Sequence, residues 1–404
     1  MSDDRRTLTS LESEALTSVG QILNLTDGHP RDRLTPTQRT IIERVPRMFD
    51  DALRLPFSEI EQASQAAFYG AMGQVSAPIA TGRMLSTYSS TIALDIVARV
   101  LAGRITDAAI LHPTFDNIAD LFRARGLRLH PLDEGQVDTG FWHPPSSVGA
   151  VVIVSPNNPT GWVISQEHLD ELARRCKLRR QVLVMDASFR GQDARAHYDT
   201  YRTLNDSGVE WVVVEDTGKL WSVSELKAGF LSWSDSSTLD FVSAFDEIML
   251  SVSPVILLLI EQLALDAKAG GFEEMYAYLG AQRALLADVL SGSELTLTDP
   301  QSRISVARIT LPDRGPDAHY AYRSLVELGI HTLPCSRFFW HQPTEGDSQL
   351  RLSLSRPAEI VERAARALRE ACQRFEPQVS RSRPTNLRTS VSASAPPTSG
   401  RPPA

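Results

Sequence analysis

The sequence predicts an α/β fold: a mostly parallel sheet sandwiched by helices, a smaller C-terminal α+β domain and an N-terminal helical lid. Three observations carry this reading. At 404 residues the chain is too long for one small core, which favours two domains. Short continuous apolar runs, GAVVIVS (149–155), QVLVMDAS (181–188) and EWVVVED (210–216), alternate with helix-like stretches, the pattern of strands buried on both faces. Past residue 255 that alternation gives way to long helical runs.

Residues 1–45 form a polar arm with an amphipathic helix over 11–23, where Thr9 and Glu12 stand at capping-box spacing. LTDGHPRD then breaks the pattern through Gly28 and Pro30. A second helix spans 49–70, and a third follows YSST, carried by Ile92, Leu94, Ile96, Val97, Val100 and Leu101. A strand at 108–111 leads through HPTFDN into the helix IADLFRARG. The strand at 149–155 ends at PNNPTG and is followed by the helix SQEHLDELARRC. Two further strands, QVLVMDAS and EWVVVED, precede KAGFLSW, which reads as another strand. These elements make a large domain over 46–255. SPVILLLIEQLALDAKAG and MYAYLGAQRALLADVL are connecting helices toward a small domain over 256–376, with strands in RISVARITL and QLRLSLS and a last helix PAEIVERAARALREACQRF. Residues 377–404, rich in Ser, Pro and Arg, have almost nothing to bury and are expected to be disordered.

A net charge of −8 without a basic stripe argues against nucleic acid as a partner. No apolar run reaches the roughly 18 residues that a membrane span needs, and the polar start does not read as a secretory signal. Cys176, Cys335 and Cys372 are odd in number and far apart, so they read as free thiols of a cytoplasmic protein. His331, Cys335 and His341 lack the second ligand pair of a zinc site, and no metal is expected. In an open α/β sheet, ligands bind beyond the carboxyl ends of the strands. NNPTG, Asp186 and the stretch from Asp216 to Lys219 all end strands, and YSST opens a helix, so the four should converge on one crevice. Lys219 stands between an apolar strand and Leu220–Trp221, an unusual place for a solvated ammonium.

In order and spacing, Phe115, NNPTG at 157–161, Asp186, Lys219, Lys227 and Gly229 resemble the fold-type I pyridoxal-phosphate enzymes, the aminotransferase-like group, over residues 70–351. The resemblance makes Lys219 the amine that carries the cofactor covalently, which requires a site that lowers its pKa. Asp186 would pair with the pyridine nitrogen so that the ring accepts electrons. Ser89, Ser90 and the helix N-terminus would hold the phosphate, completed by Thr217 and Lys227. Asn158 would contact the ring hydroxyl and the substrate, Phe115 would stack on the ring, and Arg351 would clamp a substrate carboxylate. The sequence departs from the group at Phe189, where tyrosine is common, and at Lys227, where arginine is usual.

LNLTDGHPRD, YSSTIALDIVARVLAG, HPTFDNIADL, DASFRGQDARAHYD, SVSPVILLLI and LPCSRFFW are similar to a narrower branch, the pyridoxal-phosphate-dependent L-arginine hydroxylases and oxidases of natural-product pathways. That branch implies dioxygen as cosubstrate, 4-hydroxy-2-oxo-arginine and 2-oxo-arginine as products with ammonia and hydrogen peroxide, and a homodimer. Asp216, Asp27 and Glu12 offer carboxylates to a guanidinium. In the branch an N-terminal helix presents a Thr and a Glu to the substrate, matched here by Thr9 and Glu12, and a catalytic histidine corresponds to His29. Two alternatives stay open: a plain aminotransferase acting on a cationic amino acid, and a non-catalytic homologue that binds the cofactor.

Overall fold

Seven strands form the central sheet in the order Met84–Thr87, Gly229–Trp233, Trp211–Asp216, Val182–Asp186, Val148–Val154, Asp107–His112 and Arg128–Asp133. This computed structural model describes residues 6–18, 22–31 and 34–375. Six strands run in one direction, and only Gly229–Trp233 is antiparallel to its neighbours. Every residue of Val182–Asp186 and Trp211–Asp216 is buried, as continuous β-branched runs covered on both faces require. Val148–Val154, Val182–Asp186 and Trp211–Asp216 are successive neighbours, so their carboxyl-end loops lie side by side. Those loops carry NNPTG, Ser188–Phe189 and Lys219.

Several expected boundaries shift. The first helix is Leu8–Thr17, and its cap is Thr7, whose hydroxyl accepts from the Ser10 amide at 3.1 Å; the capping box expected at Thr9 and Glu12 does not form. A capping box is instead closed by Thr35 and Gln38 at the helix Pro36–Ile42. The single helix expected over 49–70 is two, Val45–Arg54 and Phe57–Ala71, because Pro56 interrupts it. The strand Arg128–Asp133 and the helix Thr200–Ser207 were not foreseen. The first lies at the sheet edge, half-exposed and interrupted by Pro131, and so lacks an apolar signature. The segment from Pro377, expected to be disordered, lies outside the described residues.

A second, antiparallel sheet orders Leu333–Pro334, Gln349–Ser353, Val306–Thr310 and Thr296–Leu297. Helices Phe272–Leu290, Ala318–Val326 and Ala358–Gln373 contribute to its core. The side-chain packing does not divide at residues 45 and 255. Leu257, Ile260, Leu263 and Phe272 belong to the core of the large sheet, while the small core begins with Leu279. The amino-terminal arm is not separate either: Leu8, Leu11 and Leu25 pack into the small core, and Leu23–Asn24 pairs in parallel with Ile330–His331. Each such buried side chain contributes roughly 1.5–3 kcal/mol.

Gly161, the last residue of NNPTG, has φ +72, and a Cβ there would stand 2.0 Å from the Ser302 hydroxyl oxygen. Gly161→Ala should destabilise the fold by about 2–5 kcal/mol, from left-handed strain plus overpacking, read as a lower urea midpoint.

Candidate active site

The loop after Trp211–Asp216 is pinned to the start of the next strand. The Thr217 amide donates to the Ala228 carbonyl and the Ala228 amide to the Thr217 hydroxyl, both at 2.9 Å. This turn sets the half-buried Lys219 so that its Nζ lies 3.0 Å from His29 Nε2 and 5.7 Å from the Phe189 ring centroid. Burial lowers the lysine pKa, against the pull of Asp216, Glu12 and Asp27, with the Lys227 charge adding to the lowering. Burial also lowers His29, to about 4, with the Lys219 charge acting the same way against Asp27. The imidazole is therefore neutral near pH 7. Its Nδ1 faces Asp27 Oδ1 at 3.3 Å, which favours a proton there and leaves Nε2 as the acceptor toward the lysine.

Two expected substrate carboxylates, Asp27 and Asp216, already hold partners within the chain. Asp27 is buried and pairs with Arg356 at 3.2 Å and Arg31 at 3.4 Å, and it accepts the His29 amide at 2.9 Å. Burial would raise its pKa, but His29, Arg356 and Arg31 hold it well below the usual carboxylate range. Asp216 accepts the Ser90 amide at 2.8 Å and the Gly218 amide at 2.6 Å, so both of its oxygens serve the backbone. Thr9 is exposed and makes none of the contacts of this cluster.

Glu12, on the same helix as Thr9, does reach the site. Its Oε1 lies 3.7 Å from Nη2 of Arg351, and burial pushes its carboxyl up to about 7 despite Arg351 and Lys219. Arg351 is completely buried in the strand Gln349–Ser353 and lies over the Phe338 ring at 5.4 Å. Nη1 donates to Asn158 Oδ1 at 3.3 Å, while Nε and Nη2 have no hydrogen-bond partner among the described residues. Two buried guanidinium N–H groups without acceptors point to a ligand carboxylate. Phe115 is half-buried, its ring 6.0 Å from Phe338.

Asp186 ends its strand buried. Its Oδ1 accepts the Ser188 amide and hydroxyl, and no partner is found for Oδ2 among the described residues. Burial lifts this carboxyl to about 6, Asp216 adding and Ser188 opposing. Ser89 caps the helix Ser90–Ala102 by accepting the Ile92 amide at 3.3 Å. Gly229 passes so close to that helix start that a Cβ would stand 2.6 Å from the Ser89 carbonyl carbon. The Lys227 stem crosses Gly218, where a Cβ would meet its Cδ at 2.7 Å.

These groups fit pyridoxal phosphate. Lys219 offers the buried amine, Asp186 Oδ2 a free acceptor for a protonated ring nitrogen, and Ser89, Ser90, Thr217 and Lys227 an anion cradle. One restriction on the expected cradle is plain: the Ser90 amide is already bonded to Asp216, so Ser90 has its hydroxyl to offer.

Sequence reasoning missed Arg356, Arg190, Glu134, Gln192 and Ser305. Arg190 donates to Glu215 at 2.9 Å and to Thr200 at 2.7 Å, anchoring the loop that carries Ser188 and Phe189. Glu134 accepts from Asn157 and Thr160, both at 2.6 Å, and so braces NNPTG. Nothing in local spacing marks any of them.

The profile of the aminotransferase class I and II family matches residues 56–368. The solved structure of MppP soaked with the product 2-ketoarginine shares 38% identity, covering 87% of this chain and 99% of that one, with a TM-score of 0.84. Aspartate aminotransferase from Thermus thermophilus with maleate shares 18% identity over 91% of this chain and 96% of its own, at a TM-score of 0.75. LysN, an α-aminoadipate aminotransferase also from Thermus thermophilus, complexed with N-(5'-phosphopyridoxyl)-L-leucine, shares 19% over 91% and 95%, at 0.73. The last two show likeness of fold alone. A comparison with curated protein sequences gave no match.

The folded His29 titrates at about 4 against 6.5 for a free imidazole. Between those values the unfolded chain binds more protons, so stability falls as pH drops through this window and levels off below it. His29→Gln should remove that loss. The stability difference between about pH 7.5 and about pH 4.5, from urea titrations, should shrink by roughly 1–3 kcal/mol relative to the unaltered chain.

Proposed function

This chain belongs to the aminotransferase class I and II family, enzymes built around pyridoxal phosphate, and from that premise we propose that it oxidises L-arginine with dioxygen. The products are 2-oxo-arginine, 4-hydroxy-2-oxo-arginine or both, with ammonia and hydrogen peroxide. The observation that carries this reading is the pairing of Arg351 with Glu12. Arg351 holds two donors without a hydrogen bond for an α-carboxylate, Nη2 being only in a long 3.7 Å ion pair with Glu12, and Glu12 brings a carboxylate to the same mouth for a cationic side chain. The likeness to MppP, soaked with 2-ketoarginine, supports arginine among cationic amino acids.

The bound cofactor supplies an electron sink at the carbon whose C–H bond is broken. The protein supplies the rest. Lys219 Nζ, its pKa lowered by burial, takes the α-proton, and neutral His29 Nε2, 3.0 Å away, can receive a proton from it or orient a water. Asp186 keeps a hydrogen bond for the ring nitrogen, and Ser188 fixes the carboxylate that gives it. Phe189 stands beside the lysine where a tyrosine hydroxyl is common in the family, leaving this face apolar. The helix Leu8–Thr17 brings Glu12 to Arg351 and is tied down by the Leu8 amide on Asp116 at 3.0 Å, a position from which it would limit water and protect reactive states.

The homodimer is part of this reading, and exposed apolar side chains Phe49, Leu53, Leu55 and Phe57 support it as a surface for a second copy. Sedimentation should return twice the chain mass; a monomer at micromolar concentration removes this element.

Oxidation alone consumes one dioxygen per ammonia, and hydroxylation with oxidation consumes two, with water completing the balance. An oxygen electrode and ammonia assay on L-arginine, with a mass spectrum of the product, decide between them. Turnover that persists without air and requires a 2-oxo acid would mark an aminotransferase instead. Arg351→Ala should lower kcat/KM for L-arginine about a hundredfold or more, the factor that corresponds to losing a charge-assisted pair of roughly 3 kcal/mol.

A further inference from the structure

A closed circuit of hydrogen bonds runs through the site and includes two residues whose purpose is not explained by substrate or cofactor. Gln192, fully buried, donates from Nε2 to the Lys219 carbonyl at 2.5 Å and accepts the Ser305 amide at Oε1 at 2.7 Å. Ser305, also fully buried, donates its hydroxyl to the Gly28 carbonyl at 2.8 Å. The next residue is His29, whose Nε2 meets Lys219 Nζ at 3.0 Å. The circuit thus returns to the lysine after passing through three distant segments. Gly28 leaves no slack in it: a Cβ there would lie 3.3 Å from Phe189 Cζ and 3.4 Å from both Ser305 Oγ and Val306 Cγ1. Phe189, Ile304 and Val306 form a separate apolar cluster, which seats this corner.

We propose that Gln192 and Ser305 are positioning residues that fix the distance between the His29 imidazole and the Lys219 amine. Proton exchange between the two then depends on how the small-domain strand Val306–Thr310 sits against the lysine loop. The proposal rests on Lys219 being the reacting amine, as proposed above. Neither residue touches the reacting atoms. Gln192 works on the lysine through its backbone, and Ser305 works on the histidine through Gly28. Without the Ser305 hydroxyl, Gly28 can lift from its seat and carry His29 away from the lysine into water.

The groups that face the pair are known. His29 faces Asp27 from its own segment and Lys219, Lys227 and Glu225 from the lysine loop, and Arg356 holds its carbonyl. Lys219 faces Asp216, Glu12, Asp27, Lys227 and Asp186. None of these is altered by substitution at 192 or 305, so a change in titration reports position and hydration.

The test uses the full chain with nitrogen-15-labelled histidine, His29 being assigned from His29→Gln. Ser305→Ala and Gln192→Met should each raise the His29 titration midpoint by roughly half a unit to one unit, as the ring is hydrated. The pH at which acetic anhydride half-labels Lys219, read by peptide mass spectrometry, should rise with it. Ser305→Thr keeps the hydroxyl and should restore both midpoints, whereas Ser305→Val, of nearly equal volume, should not. Unchanged midpoints in Ser305→Ala and Gln192→Met, or equal behaviour of the Thr and Val variants, would overturn the proposal. The two positions lie on different segments, so a folding failure at one leaves the other to decide. Neither readout needs cofactor or turnover, so failure of the arginine reading leaves this result intact.

Discussion

A lysine amine held out of water at the carboxyl edge of the sheet is the constraint on which the site depends. An ammonium placed there is disfavoured by burial, and its surroundings must decide which form survives. The chain surrounds it with carboxylates whose own charges are separately managed. Asp27 is paired with Arg356 and Arg31, Asp216 accepts the Ser90 and Gly218 amides, and Asp186 accepts the Ser188 amide and hydroxyl. Asp216, Glu12 and Asp27 still favour the protonated lysine, and burial outweighs them. His29 adds a neutral acceptor at hydrogen-bond distance, which no carboxylate could do without restoring the charge.

The same logic extends beneath the site. Arg190 and Glu215 form a buried pair behind the lysine strand, and burial lifts Glu215 to about 7 against the attraction of Arg190. A buried ion pair is weak evidence for stability in itself. Here Arg190 also bonds the Ala196 carbonyl and the Thr200 hydroxyl, which fixes the course of the loop between Asp186 and Thr200. Through that loop it holds Ser188, Phe189 and Gln192 in register with Lys219. The pair is therefore best understood as a device for geometry.

Much of the architecture was legible because it rests on local periodicity. Val148–Val154, Val182–Asp186 and Trp211–Asp216 are unbroken apolar runs, and each appears within two residues of where the sequence put it. Lys219 and Asp186 were legible as residues, since strand ends in an open α/β sheet point to one crevice. What escaped was pairing across distance. Asp27 pairs with Arg356, more than three hundred residues later, and Asp216 accepts the Ser90 amide, 126 residues earlier in the chain. The circuit through Gln192 and Ser305 joins residues from across the chain and has no local signature. At the amino terminus the cap is Thr7, and the helix that it starts buries Leu8 and Leu11 and gives the Leu8 amide to Asp116, contacts that have no local signature.

The attachment of the amino-terminal arm decides what can swing. Leu8, Leu11 and Leu25 are embedded in the small core, and Leu23–Asn24 is stitched to Ile330–His331, so the helix bearing Glu12 is not a flap hinged on its own. Glu12 and Arg351 therefore sit on one packed body, while the Leu8 amide, 3.0 Å from Asp116, ties the same helix to Asp116–Ala124 on the side of the large sheet. The separation of Glu12 from Arg351 is thus a property of side-chain packing, set when the small core forms and not by the tether of a loop.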